Sequence, residues 1–177
     1  MKRINIVGTS GSGKSTLGRA LASKVNAPFY EMDALYWRAN WQGVSDEVLF
    51  ADLRMVTGQS SWVLDGNYNR TVPIKWANVD TVIWVDYSFI RTFYQATKRA
   101  IIRVVTKAEL WPGTGNKESF RRTFMSKESV LLWMINHHAS NRDRYEKMMA
   151  SEEYQHIRFI RVRTPKQARQ LLDGINK

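Results

Sequence analysis

Gly8-Thr9-Ser10-Gly11-Ser12-Gly13-Lys14-Ser15 fits G-x-x-x-x-G-K-[ST], a spacing whose chemistry is the holding of phosphate. The glycines let backbone N–H groups turn inward as an anion nest, and a helix starting there adds the positive end of its dipole. Lys14 then reaches the β- and γ-phosphates and the Ser15 hydroxyl ligates Mg²⁺. Gly8, Gly11, Ser12, Gly13, Lys14, Ser15 and Thr16 are the expected nucleotide-binding set, with ATP and Mg²⁺ as the implied cofactors. The alternative is a chance glycine-rich turn. The flanks oppose it, because Ile4-Asn5-Ile6-Val7 reads as a buried strand and Leu17, Leu21 and Val25 recur at helical spacing.

Two acids stand where such a loop needs them. Asp65 follows Trp62-Val63-Leu64 and can orient Mg²⁺ or its waters, or serve the acceptor; its bland reading is the Asp of an Asp-Gly turn. Asp33 follows Phe29-Tyr30-Glu31-Met32 and can take a proton from a substrate hydroxyl; otherwise it caps the turn that follows. Tyr36, Trp37, Trp41 and Tyr68 belong to the two loops these acids open. Their rings could make a stacking slot for a ring-shaped acceptor or pack a satellite core, and the sequence leaves both open. Asp33, Tyr36, Trp37, Asp65, Gly66 and Tyr68 are the expected acceptor set, and Ser15 and Asp65 the metal pair. Asp86 reads as a turn or capping residue. His137-His138 lacks a third ligand nearby and reads as structural.

The arginines group around one excursion in the helical pattern. Arg99 and Arg103 share a helix face at i, i+4 before it. Arg121 and Arg122 stand at its exit, and Arg142 and Arg144 follow on the next helix. Such a rim suits a lid that closes, excludes water and places positive charge on a moving phosphoryl group. A solvated helix face is the plain reading of any single one. Lys14, Asp33, Arg99, Arg103 and Arg142 are the expected catalytic groups.

The elements that must position these residues alternate along the chain. Strands are expected at 3–8, 29–32, 62–64, 81–85 and 156–162. Helices are expected at 14–25, after Ser45 as far as Gly58, from Ser88 along Phe89, Phe93, Ala96, Ala100, Ile101 and Val104, from Ser126 to about Met149, and after Thr164-Pro165. Alternation implies βαβ units: an α/β, three-layer fold with a five-stranded parallel sheet, helices on both faces and an inserted lid. One domain over residues 1–177 is expected, with an acceptor-side segment at about 33–60 and a lid at about 106–125.

Composition sets bounds on partners. The 177 residues are 44% hydrophobic, enough for one globular core, and lack cysteine, which excludes disulfides and thiolate metal sites and suggests a cytoplasmic protein. No apolar run approaches the roughly 18 residues of a membrane span, and the first strand leaves no room for a signal peptide. The net charge of +11 suits a polyanionic partner, either phosphorylated small molecules or nucleic acid.

The loop, Met32-Asp33-Ala34-Leu35-Tyr36-Trp37 with Trp41, and Trp62-Val63-Leu64-Asp65-Gly66-Asn67-Tyr68 together resemble the adenylate-kinase-like group of small P-loop kinases, and more narrowly the bacterial DNA topology modulation proteins. The resemblance implies an ATP-dependent phosphotransferase with a nucleotide, nucleoside or other small-molecule acceptor. It matches Asp33 to the acid that meets the acceptor, Arg99 and Arg103 to paired arginines entering the lid, and Arg142 to the first arginine after it. Asp65-Gly66 resembles the opening of the adenylate kinase acceptor motif. That motif continues Phe-Pro-Arg, whereas here Asn67-Tyr68-Asn69 follows and the nearest arginine is Arg70, so AMP is not implied. The cysteine-free lid cannot carry the zinc of some relatives. The narrower resemblance implies a second class of function, an ATP-binding regulator that touches DNA. Nucleic acid is the less favoured partner, because no helix-turn-helix, zinc-finger or RRM signature is present. No membrane partner is expected, and oligomeric state is left open.

Overall fold

The computed structural model describes residues 1–120, 123 and 129–176. Among them, β1 (Arg3–Gly8), β2 (Phe29–Glu31), β3 (Trp62–Asp65), β4 (Thr81–Val85) and β5 (Arg158–Val162) form one sheet in the order β2-β3-β1-β4-β5. Every pairing is parallel. The order branches at β1, which lies between β3 and β4, so the carboxyl end of β1 is the point where α/β folds bind ligands.

Period-two alternation builds two cores from the same strands. Ile4, Ile6, Val63, Ile83 and Val85 face one side, where Leu17, Leu21 and Ala22 of α1 (Lys14–Val25) and Leu171 and Leu172 of α7 (Pro165–Asp173) cover them. Val7, Trp62, Leu64, Val82 and Trp84 face the other. There they meet Leu49 and Leu53 of α3 (Asp46–Thr57), Val72 and Ile74 of α4 (Val72–Lys75) and Tyr145 of α6 (Val130–Ala150). Leu21, Leu49 and Leu53 are fully buried, each contributing about 1.5–3 kcal/mol. The three-layer α/β architecture expected from the sequence is therefore present.

Capping agrees with the sequence at two helices. Ser45 accepts from Val48 N at the start of α3, and Thr164 accepts from Gln167 N at the start of α7, with Pro165 in its first turn. Two boundaries and one cap differ. β2 stops at Glu31, and Met32 opens a short helix, α2 (Met32–Tyr36), closed by the Trp37 N to Asp33 O bond of 2.9 Å. Asp33 thus lies in a helical turn rather than at a strand end. β5 begins at Arg158, the residue paired with Thr81, not at His156. Ser88 precedes α5 (Phe89–Thr106) without capping it through its side chain. Ser126, expected to start the next helix, lies outside the described residues, as do Arg121 and Arg122.

The largest departure is the rotation of α5. Ala96 and Ala100 are buried as expected, but Phe89, Phe93 and Ile101 are exposed by 40%, 37% and 49%. The inward face is chosen by the phosphate loop. Gly11, at φ +83°, packs so close that a Cβ there would stand 2.6 Å from the Ala96 methyl. This contact turns Arg99 toward the loop and leaves the bulkier apolar side chains outside. No helix among the described residues is long and apolar enough to cross a membrane.

Candidate functional site

The loop leaves β1 at Gly8 and enters α1 through Gly13, which is left-handed (φ 93°) and offers no side-chain cap. The first N–H groups of α1 are therefore available to an anion. Ser12 N donates to Thr9 O (3.1 Å), which closes the loop, and the Lys14 ammonium folds back onto Thr9 O at 3.1 Å. Burial lowers the Lys14 pKa, Asp65 works against that, and Arg99 adds to it. Thr16 stands exposed in the first turn of α1.

Asp65 is the last residue of β3 and only 7% exposed. Its Oδ2 accepts from the Ser15 hydroxyl at 2.5 Å, whereas its Oδ1 is buried without a partner among the described residues. Burial holds this carboxyl above the usual range, opposed by Lys14 and by the Ser15 hydrogen bond. Ser12 Oγ is a second orphaned polar atom in the loop. A hydroxyl and a carboxylate with one spare oxygen are hard donors that fit Mg²⁺ shared with substrate phosphates. No cluster of three acids, histidines or cysteines offers a separate metal cage among the described residues.

Arg99 reaches over the loop, its guanidinium donating to Ser10 Oγ at 3.3 Å. Burial lowers its pKa, aided by Arg103, while Glu118, Asp33 and Asp65 oppose it. Asp33 is exposed, and its charge is felt by Lys14, Asp65 and Arg99. The structure therefore brings Lys14, Ser15, Asp33, Asp65 and Arg99 around one space. Arg103 stands at its margin, paired with Glu118 at 3.0 Å. Arg142 is not brought in. It lies beside Asp86 (3.4 Å) and Glu146 (3.7 Å). Arg161 also binds Asp86, at 2.8 and 2.6 Å, so Asp86 is the centre of an ion-pair group rather than a simple turn residue.

On the acceptor side, the Tyr68 hydroxyl donates to Asp33 Oδ1 at 2.8 Å. Burial raises the Tyr68 pKa, and the Asp33 charge raises it further, so the phenol stays protonated and keeps donating. Tyr36 lies 5.4 Å from the Tyr68 ring, and the Arg70 guanidinium covers both rings while pairing with Asp46 at 2.8 Å. Tyr36 and Tyr68 pack against the core beneath them. Trp37 and Trp41 instead form a three-indole cluster with Trp111, at centroid separations of 5.8, 5.7 and 6.5 Å. Trp111 comes from the excursion after α5, and Asn116 ties the same two segments by accepting from Trp41 N (3.0 Å) and donating to Arg38 O (2.8 Å). Gly66 is buried, its N–H bound to Ile6 O and its carbonyl to Lys75.

Sequence reasoning passed over Asn67, Lys75, Trp111, Asn116 and Tyr145. Trp111 carried a signal, being a large aromatic in an otherwise polar excursion. The others act through pairings 8 to 78 residues apart, which no local pattern displays. A cavity lined by Lys2, Lys24, Arg158 and Leu171 opens at the opposite, amino-terminal end of the strands, away from this chemistry.

The Shikimate kinase family model matches residues 10–49, a stretch that spans most of the phosphate loop, α1, β2 and the Asp33 turn. No curated protein matches the chain. Among solved structures, it is similar to the shikimate kinase from Bacteroides thetaiotaomicron (TM-score 0.56, 14% identity, 99% of this chain and 96% of that one). It is also similar to a gluconokinase from Sinorhizobium meliloti 1021 (0.53, 17%, 99% and 91%) and to the shikimate kinase from Aquifex aeolicus (0.53, 16%, 98% and 94%). At these identities the likeness is one of fold: the chain has the fold of the small P-loop kinases.

Proposed function

We propose that this protein is an ATP-dependent kinase of a small-molecule acceptor. The observation that carries the reading is the Ser15–Asp65 pair with its spare buried oxygen, beside an uncapped helix start and faced by Asp33 and Arg99. The triphosphate lies on the loop and the N–H groups of α1, with Lys14 swinging from Thr9 O to its outer phosphates. Ser15 and Asp65 would hold Mg²⁺, which when bound supplies charge neutralisation on the β- and γ-phosphates. Tyr68 occupies one oxygen of Asp33, and the other takes the proton of the acceptor hydroxyl. Arg99 offsets charge on the moving phosphoryl group, and catalysis is otherwise positioning. The excursion after α5 is the candidate lid of this space, and its described part, residues 107–120, is joined to the acceptor-side segment 33–60 by the indole cluster and Asn116. A nucleotide-rich compartment such as the cytoplasm suits this activity.

The acceptor stays defined by class: a nucleotide, a nucleoside or another small alcohol or phosphate acceptor. Arg70, the arginine nearest in sequence to the place of the one in the adenylate kinase motif, is engaged by Asp46, so that motif gives no support to AMP in particular. The test is ADP release across a panel of nucleosides, nucleotides, sugars and hydroxy acids. One acceptor must accelerate it, and that acceleration must vanish in Lys14→Ala.

The narrower resemblance to DNA topology modulation proteins supplies a second, less favoured reading, an ATP-binding regulator that touches DNA, which the net charge of +11 permits. It requires DNA affinity that falls steeply with salt and slow hydrolysis indifferent to any acceptor.

A further inference from the structure

Lys75, the last residue of α4, is 0% exposed although it is a lysine. Its Nζ donates to two successive carbonyls, Gly66 O at 3.2 Å and Asn67 O at 3.0 Å. Burial, with Arg144 adding to it and Asp65 opposing, lowers its pKa to about 7. Burying such a group costs several kcal/mol even after relaxation, roughly, and an apolar side chain of the same volume would avoid that cost. What the apolar substitute could not do is hold the turn.

That turn spends its side chains on the phosphate loop. Asn67 Oδ1 accepts from Gly8 N (2.9 Å) and from the Tyr145 hydroxyl (3.1 Å), while its Nδ2 donates to Gly8 O (2.6 Å). One amide thus holds both polar groups of the residue where β1 becomes the loop. Gly8 has little freedom of its own there. At φ +144°, a Cβ would stand 2.4 Å from Val85 O, so the backbone is wedged against β4 on one side and held by Asn67 on the other. Two residues before Asn67, Asp65 holds Ser15 at the far end of the loop. The three-residue turn therefore grips the loop at its first residue and just past its last, and Lys75 fixes the two carbonyls of that turn.

We propose that Lys75 is a positioning residue for nucleotide binding, acting through the Gly66-Asn67 turn to set the geometry of the phosphate loop. The kinetic part of this proposal rests on the kinase reading above; the binding part does not.

The experiment measures ADP and ATP affinity by calorimetry, and urea stability, for Lys75→Met, Asn67→Ala and the double variant. Lys75→Met keeps length and removes the donors. It should leave stability unchanged or raised, yet weaken nucleotide binding on the order of ten-fold, the scale seen when groups that orient a site are removed. Asn67→Ala should weaken binding similarly, and the double variant should lose little more than either one, because both act on Gly8. With an acceptor in hand, the KM for ATP should rise while the KM for the acceptor stays put. Wild-type affinity in folded Lys75→Met overturns the proposal, as do fully additive losses. If Lys75→Met does not fold, Asn67→Ala decides alone: wild-type affinity there overturns the proposal, and a loss in a stably folded variant supports it. If no acceptor is ever phosphorylated, the kinase reading fails while the affinity comparison still stands.

Discussion

Replacing Asp65 by Asn should make this protein more stable and less useful. In the folded chain, Asp65 is a buried carboxylate with one oxygen bound to Ser15 and the other without a hydrogen-bond partner among the described residues. An unsatisfied buried group costs about 1–3 kcal/mol, and more when charged. Asn keeps an oxygen for the Ser15 hydroxyl and removes the charge, but it leaves an amide group in place of the orphaned oxygen and deprives Lys14 of a counter-charge. The net gain expected is about 1 kcal/mol, which for a chain of this size moves Tm by about 2–4 °C. The sign carries over to pH. Because burial raises the Asp65 pKa, the unfolded chain ionises this group first. Folding stability is therefore lost as pH rises from the ordinary carboxylate range through the raised value, and Asp65→Asn flattens that loss. Turnover should move the other way. A carboxylate that orients Mg²⁺ or its waters is worth about 10–100-fold in affinity or activity, so Mg²⁺–ATP binding and kcat should fall on that scale while Mg²⁺-free ADP binding changes little. Urea unfolding and magnesium-dependent calorimetry measure the two halves. A variant that is destabilised by more than about 1 kcal/mol and still binds Mg²⁺–ATP normally would refute the reasoning, since Asp65 would then be a structural residue.

Further expectations concern the surroundings of the site. The lowered pKa of Lys75 means that between about 7 and its ordinary 10.5 the unfolded chain binds a proton that the folded chain does not, so stability should rise with pH by up to about 1.4 kcal/mol per unit. Urea titrations at pH 7.5 and 9.5 read this slope, and Lys75→Met should abolish it. Gly11→Ala puts a methyl 2.6 Å from that of Ala96 at a positive φ, so thermal unfolding should show a loss of about 1–3 kcal/mol and the ADP affinity should drop with it. Trp37→Ala and Trp111→Ala, combined in a double-mutant cycle, should show a coupling of about 0.5–1.5 kcal/mol; zero coupling would mean that the indoles do not join the lid to the acceptor side.

What was legible in the sequence follows the range over which each interaction acts. The phosphate loop, β1 and α1 are local, with glycine positions, strand run and helical spacing lying within residues 3–25, and they are found as expected. β3 and β4 are likewise written in apolar runs, at 62–64 and 82–85. Asp33 was misplaced by one element because Tyr30-Glu31-Met32 carries strand and helix preferences in one short span, and the close of a single turn at Trp37 decides it. The face of α5 was misread because its apolar residues surround most of the helix. A tertiary contact, Gly11 on Ala96, chooses among them. Arg142 is assigned by the resemblance alone, and its pairing with Asp86, 56 residues away, shows only in the fold. Asn67 and Lys75 had no pattern to betray them: an asparagine in a turn and a lysine near a proline are common, and only the fold shows one holding Gly8 and the other fully buried.

The most direct test of phosphotransfer is stoichiometry. ADP and phosphorylated acceptor should be quantified together, by coupled assay and mass spectrometry, for whichever acceptor in the panel accelerates turnover. One phosphorylated acceptor per ADP, with both products lost in Lys14→Ala and acceptor turnover lost in Asp33→Asn while ATP affinity persists, is the result predicted by Lys14, Asp33, Asp65 and Arg99 sharing one space. ADP formed without any phosphorylated acceptor, at a rate that DNA rather than a small molecule alters, would contradict it.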